Sequence, residues 1–402
     1  MGNQPKIRKS FTAAPPLLVL IFLVALFAVQ VKLVSAASSD SWAMKTPIPT
    51  QRYGLGAAVV NGKIYAVGGI LLHGPINTRT GINEEYNPIT DTWTNQTSMP
   101  TARVDFGIAV YQNKIYCIGG STSNAGVTGI NEVYDPATDT WETKSPMPTP
   151  RGQMTASTVD DKIYVIGGIV DPLNGRISDL NEVYDPATDT WTTKSSLPNA
   201  VSEYASAVVN DKIYVIGGYN GNGSSYLTQI YNPATDTWSN GSQLPSNPKG
   251  YYPGGAGATT GVYAPKRIYV FGGSEAGLMG MSLNTTLVYD PEKDAWSYGA
   301  RMITGRSNMG VAVVDDVLYT IGGGIWWGSY TGANEQYTPI GYGTVNSPEP
   351  TATAPIATAT PTATPSPTAK PQSLPAVPIA ASTVIVVIVG AGLLVYFKKR
   401  MR

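Results

Sequence analysis

Arg52, Arg103, Arg151 and Arg306 share a register, each standing thirteen residues before a strand tyrosine, at Tyr65, Tyr116, Tyr164 and Tyr319. Guanidinium groups gathered at one place can grip a carboxylate or sulfate through paired N–H donors. Tyr53, Phe106, Glu203 and Tyr204 lie close to the same register and would join such a ligand site. A plainer reading pairs each arginine with a carboxylate of its own segment, such as Glu132 or Glu182. Sequence alone leaves both readings open.

Other chemistry is sparse. The single histidine, His73, and the single cysteine, Cys117, make neither a metal set nor an intramolecular disulfide, and no cofactor is expected. Cys117 replaces an aliphatic residue of a strand and reads as a small core side chain. Trp326 and Trp327, with Tyr219, Tyr226 and Tyr330, form an aromatic set outside any strand period. It reads equally as a stacking platform for a sugar or peptide and as a plug on the scaffold.

The elements that position these residues repeat. "KIYAVGG" begins at Lys63, "KIYCIGG" at Lys114, "KIYVIGG" at Lys162 and Lys212, "RIYVFGG" at Arg267 and "VLYTIGG" at Val317. "YDPATDTW" occurs at Tyr134 and Tyr184, with near copies at Tyr86, Tyr231 and Tyr289. The second phrase reads as strand, Pro-containing turn, strand, with Asp139, Asp189 and Asp236 placed to finish the turn as Asx residues. "VVNG", "VVND" and "VVDD" before the first phrase supply residues that tolerate the positive φ of a two-residue hairpin. The unit is four short antiparallel strands, repeating about every 50 residues, which specifies an all-β propeller.

The double glycine, the tyrosine and the tryptophan after a Pro-containing turn resemble kelch repeats, in six copies over roughly Asp40–Pro339. The resemblance implies a six-bladed propeller and says little about activity. Some kelch propellers resemble copper-radical oxidases, but one histidine and a strand cysteine do not meet that pattern. Others resemble sialic-acid epimerases, which use Arg and Glu on an anionic sugar; the arginine register keeps that alternative open. The sixth repeat lacks its Asp-x-Trp, and Asp40 and Trp42 supply it from the other end of the chain. The N-terminal strand is therefore expected to close the ring as the outer strand of the last blade.

The ends differ in texture. Residues 1–37 have a basic start, a short apolar run and small residues at the close, reading as a signal peptide or a signal anchor. Residues 38–343 hold the propeller, and 344–375 form a Pro/Thr-rich stalk. The uncharged stretch 376–397 is long enough for a C-terminal transmembrane helix, and 398–402 is a basic cytoplasmic tail. The expected topology is single-pass at the cell membrane, with the propeller extracellular. Eight of the 27 basic residues lie in the two ends, leaving 19 against 27 acidic residues, a net charge of −8. That balance argues against nucleic acid as a partner. Sequons stand at Asn95, Asn222, Asn240 and Asn284.

Variable connections between constant strands are where binding concentrates. The favoured expectation is a cell-surface binding or adhesion module, with an extracellular glycan, matrix component or protein as partner. The alternatives are an epimerase-like enzyme on an anionic sugar and a structural component of the cell envelope.

Overall fold

Strand-forming residues alternate with obligatory turns along the whole repeat. A computed structural model describes residues 40–73, 76–122, 126–245, 252–275, 282–326 and 329–344. From the axis outward, the first blade is Gly56–Val60, Lys63–Val67, Asn83–Asn87 and Thr92–Gln96. The second is Gly107–Tyr111, Lys114–Ile118, Asn131–Asp135 and Thr140–Lys144; the third is Ala156–Val159, Lys162–Ile166, Asn181–Asp185 and Thr190–Lys194. The fourth is Ala205–Val209, Lys212–Ile216, Thr228–Asn232 and Thr237–Gly241; the fifth is Gly255–Ala258, Ile268–Phe271, Thr286–Asp290 and Ala295–Tyr298. The sixth takes Gly310–Val314, Val317–Ile321 and Asn334–Thr338 from one end of the chain and Ser41–Lys45 from the other. Ser41 pairs with Thr338 and Lys45 with Asn334, so the ring closes through the N-terminal strand. The first hairpins turn through positive φ at pairs such as Asp160–Asp161 and Asn210–Asp211.

The repeated outer phrase works differently from a simple turn. The Asx role belongs to its first acidic or amide residue: Asp135 accepts from Ala137 N–H at 2.9 Å, and Asp185 from Ala187 N–H at 3.0 Å. Asp139, Asp189 and Asp236 instead adopt positive φ and turn their carboxylates toward the neighbouring blade. Each blade thereby grips the residue that follows the outer strand of the blade before it. Thr46, Thr97, Ser145, Ser195, Ser242 and Ala300 donate their N–H groups to Asp91, Asp139, Asp189, Asp236, Asp294 and Asp40 at 2.5–2.9 Å. The same six residues accept the indole N–H of Trp93, Trp141, Trp191, Trp238, Trp296 and Trp42 at 2.8–2.9 Å. One Asp-x-Trp spacing therefore pins both backbone polar groups of one residue, six times around the ring.

Tyrosines tie the same joint. Third-strand tyrosines such as Tyr134 donate to the pinning aspartate (2.7 Å to Asp139) and pack on the blade's own tryptophan. Their rings also meet the second-strand tyrosine of the adjacent blade in six pairs, with centroids 5.5–6.0 Å apart, from Tyr65–Tyr134 round to Tyr319–Tyr86. The Tyr hydroxyl first, and the neighbouring blade's backbone N–H second, hold the Asp91 and Asp139 carboxyls below the usual range. A depressed folded-state pKa stabilises the fold above the unfolded value near 4, and that stabilisation is lost as pH falls through the folded value. We expect the pins' contribution to the melting temperature to be constant from pH 8 to about 5 and to fall steeply below about pH 4. Asp139→Asn should flatten part of that acid limb in a thermal melt series, and an unaltered limb would remove the pin from the account.

Glycine pairs close the inner joint. Gly119 has φ of 67°, and a Cβ there would stand 2.6 Å from the Arg151 carbonyl oxygen of the next blade. Gly120 then donates its N–H to that same oxygen at 2.8 Å. Cys117 is buried in the core between the first and second blades, and burial pushes its thiol up to about 12, so it is an inert packing group.

The segments expected to be a signal sequence, a stalk beyond Thr344, a membrane span and a basic tail lie outside the described residues. Among the described residues no helix is long and apolar enough to cross a membrane.

Candidate functional site

The arginine register is part of the frame, which corrects its reading as a ligand site. Arg52, Arg103, Arg151 and Arg306 are all 0% exposed. Arg103 and Arg151 each reach a carboxylate of their own blade at 2.6 Å, Glu132 and Glu182. Arg52 pairs with Glu84, and Arg306 with Glu335 at 3.3 Å. Each also donates to second-strand carbonyls, such as Cys117 O from Arg103 at 2.9 Å. Burial pulls Arg306 down to about 10, with the Glu335 charge opposing, so it stays protonated at neutral pH. An arginine so enclosed has no face left for an external anion.

Where the arginine is missing, so is its acid. The fourth blade has buried Val201 and Gln229 at the two positions. Gln229 Nε2 donates to Asn199 O at 2.9 Å and its Oε1 accepts from Asn199 N–H at 2.9 Å, so its amide is satisfied locally. The fifth blade has buried Leu287 in place of the glutamate. A buried charge without its partner is costly, so loss of both together is the economical change.

Two residues beyond the arginine register, the chain reaches the axis. Gly54, Asp105, Gln153, Glu203, Pro253 and Asn308 bring one residue from each blade to a channel of about 300 Å³. Asp105, Gln153, Glu203 and Asn308 all take φ near +50° there, a backbone state uncommon for residues with side chains. The backbone explains it. Gly54 N–H donates to Asn308 O, Asp105 N–H to Gly54 O, Gln153 N–H to Asp105 O and Glu203 N–H to Gln153 O, at 2.8–3.2 Å. The chain of bonds stops at Pro253, which has no N–H to offer the Glu203 carbonyl.

The side chains at this ring are polar. Gln153 Nε2 donates to Glu203 Oε1 at 2.9 Å. Desolvation first, then the Glu203 charge, raise the Asp105 carboxyl to about 7, with Arg79 pulling the other way. Desolvation in the channel raises Glu203 as well. Below the ring, Phe106 and Tyr204 line the wall, both buried. Phe106 lies under the Arg103 guanidinium at 5.8 Å, and Tyr204 donates its hydroxyl to Ile166 O at 2.5 Å. These two sequence candidates thus serve the wall, while Glu203 alone of that group offers a charge to the channel.

A raised carboxyl pKa has the opposite sign to the pins. Its favourable contribution is full below the unfolded value near 4 and is lost as pH rises toward 7. Asp105→Asn is therefore expected to raise the melting temperature by about 2–5 °C at pH 8 and to leave it unchanged at pH 4. A drop at pH 8 in differential scanning fluorimetry would refute a desolvated carboxylate there.

The loops around the mouth are more ordered than their sequences suggest. In four blades the second-to-third connection is a two-stranded ribbon: Ile70–His73 with Ile76–Arg79, Ser121–Thr122 with Gly126–Val127, Ile169–Asp171 with Arg176–Ile177, and Gly324–Trp326 with Ser329–Tyr330. Trp326 ends a ribbon strand, and Trp327 lies outside the described residues. Tyr53 packs on Tyr330 with centroids 4.5 Å apart and rings tilted by 43°, and Tyr219 sits 6.2 Å from Tyr252. Tyr226 packs on the core. The aromatics thus sit at the rim of the mouth on two sides. Of the sequons, Asn95, Asn222 and Asn240 are exposed, whereas the Asn284 amide donates to Met302 O at 3.2 Å and accepts from Arg301. Among the described residues no three His, Cys, Asp or Glu side chains are grouped to hold a metal.

Sequence reasoning singled out Glu203 but not Asp105, Gln153 or Asn308. Their common signal is a polar residue two places after the arginine register, hidden by its changing identity.

Comparisons place this geometry among known proteins. A family model described as the KLHDC2/KLHL20/DRC7 Kelch-repeats domain matches residues 27–168 and 107–323. Kelch-like protein 28 of Homo sapiens is 33% identical over 90 residues, 20% of this chain and 15% of that protein. Kelch-like ECH-associated protein 1A of Danio rerio is 43% identical over 68 residues, 17% of this chain and 11% of that protein. The Influenza virus NS1A-binding protein of Homo sapiens is 38% identical over 80 residues, 20% and 12% of the two chains. The match thus spans 11–15% of the length of these curated relatives. A solved structure titled "Structure of YjhT" superposes with a TM-score of 0.62 at 18% identity, over 74% of this chain and 97% of that one, which shows the shared fold.

Proposed function

The chain belongs to the kelch-repeat family, and from that premise we propose that it is a partner-binding propeller displayed at the cell surface, holding a protein on its ribbon face around the axial mouth. The carrying observation is a division of labour. Every buried arginine, pinning aspartate and outer tryptophan is used by the frame. Asp105, Glu203 and the rim aromatics Tyr53, Tyr219 and Tyr330 are what the ribbon face has left to offer a partner. A protein partner also fits the printed name of one relative, an NS1A-binding protein. Surface display rests on the sequence of the two ends, and the net charge of −8 keeps nucleic acid out of the reading. The anionic-sugar reading loses its motive, because the arginines that prompted it are paired and enclosed.

Display and binding are tested together on cells expressing the full chain. An antibody to the propeller should stain intact cells, and those cells should capture partner cells or surface-protein preparations. Capture should fail in a Tyr53→Ala, Tyr219→Ala double variant that retains the parent melting temperature. Staining only after permeabilisation would sink the surface reading, and capture unaffected by the double variant would sink the ribbon face as the binding surface.

A further inference from the structure

We propose that the axial mouth receives a cationic side chain, the ammonium of a lysine or the guanidinium of an arginine from a protein partner, between Asp105 and Glu203. This rests on the partner-binding reading and names the chemistry of its central contact.

The mouth is a cavity lined from all six blades. Its polar ring is Asp105, Gln153, Glu203 and Asn308. The frame does not neutralise the two acids. The Asp105 carboxylate lines the channel and accepts no hydrogen bond among the described residues, although it is enclosed enough for desolvation to dominate its titration. Gly54 leaves the room it occupies, since a Cβ there would stand 2.9 Å from Asp105 Oδ1. Glu203 accepts one bond, from Gln153 Nε2, on one of its two oxygens. Pro253 adds a third acceptor by leaving the Glu203 carbonyl without a backbone donor.

The groups facing Asp105 are Glu203, which repels it, and Arg79 and Tyr53 from the first blade. Arg79 acts on Asp105 through its charge without forming an ion pair, and its own Nε is buried without a partner. The arginines of the repeat register are held by their own glutamates and cannot turn inward. The charge of Glu203, exposed at the mouth, disfavours that of half-buried Asp105, Arg79 offsets it only in part, and an incoming cation relieves both acids. A ring of acceptors with several open sites matches the N–H donors of an ammonium or guanidinium group. With two carboxylates and, among the described residues, no third acidic, histidine or cysteine ligand grouped beside them, the mouth suits an organic cation better than a divalent metal.

The test uses the full chain and four capped hexapeptides that differ only in a central Lys, Arg, Gln or Glu, measured by biolayer interferometry. The Lys and Arg peptides are expected to bind, and the Gln and Glu peptides are not. Asp105→Asn and Glu203→Gln should each weaken binding at least about tenfold, as removal of one charge-assisted contact does. Binding should also weaken from pH 8 to pH 6 in the parent and lose that dependence in Asp105→Asn. Because Asp105→Asn is expected to melt higher at pH 8, its loss of binding cannot be a loss of folding. Equal binding of all four peptides, binding by the Glu peptide alone, or unchanged affinity in both variants would overturn the proposal. If no peptide binds while cell capture still depends on Tyr53 and Tyr219, the cationic contact falls and the partner-binding reading stands. If the Lys and Arg peptides bind as described while capture ignores both tyrosines, the reverse holds.

Discussion

Arg103→Val, made alone, destabilises the propeller by about 3–5 kcal/mol, because it leaves Glu132 charged and enclosed with no partner. The same valine costs far less when its surroundings change with it. The fourth blade already contains the alternative solution, with Asn199, Val201 and Gln229 where the second blade has Thr101, Arg103 and Glu132. Moving all three residues, as Thr101→Asn, Arg103→Val and Glu132→Gln, should bring the loss down to about 1–2 kcal/mol. The remainder is the Cys117 carbonyl, which no longer receives Arg103. Urea unfolding of the parent, the single variant and the triple variant decides the matter. Equal destabilisation of single and triple variants would show that the pair is not the unit of exchange.

Removal of residues 40–45 is the second large effect. The deletion strips the outer strand from Asn334–Thr338 and both hydrogen bonds from Ala300. It also removes Trp42, which packs on Tyr337 at 5.0 Å and edge-on to Phe271 at 5.2 Å. Trp42 is half-buried, so its loss alone is worth about 2–3 kcal/mol, below what a fully buried Trp costs. For a domain of this size we expect the melting temperature to fall by about 10 °C or more. An open strand edge also accepts a strand in trans. A synthetic peptide of residues 39–46 should therefore recover part of the lost melting temperature, and a Trp42→Ala version should recover less. A deletion variant that melts with the parent would mean the ring does not depend on its closure.

The frame was legible because its parts are repeated with their spacing intact. Asp40 and Trp42 could be assigned to the last blade because an Asp-x-Trp was missing at one end and present at the other. The arginine register was equally visible, but its burial was not. A charge at fixed spacing reads the same whether it faces solvent or a partner inside the blade. The deciding signal lay in the third strand, where Glu84, Glu132, Glu182 and Glu335 accompany the arginines and Gln229 and Leu287 replace them together. The Asp of the outer phrase was legible as a turn residue but not as a bridge between blades, since its partner lies 41–52 residues away in the five blades made from one run of chain. The mouth was the least legible part. Its six residues have six different identities, and all but Pro253 share a positive φ, a conformation that leaves little trace in the letters.

The chain leaves the propeller from strand Asn334–Thr338, and the closing strand has a further consequence there. That strand is flanked on both sides, by Val317–Ile321 and by Ser41–Lys45. Its end runs on to Gly343, whose N–H bonds Tyr263 O in the first hairpin of the fifth blade, on the face opposite the ribbons. Tension applied between the ribbon face and Thr344 would therefore run along this strand. Hydrogen bonds perpendicular to such a pull are loaded together in shear, whereas those at a peeled edge fail one after another. With Ser41–Lys45 in place that strand is gripped from two sides, so the segment that closes the ring also sets the load applied at Thr344 that the last blade can bear before it slips.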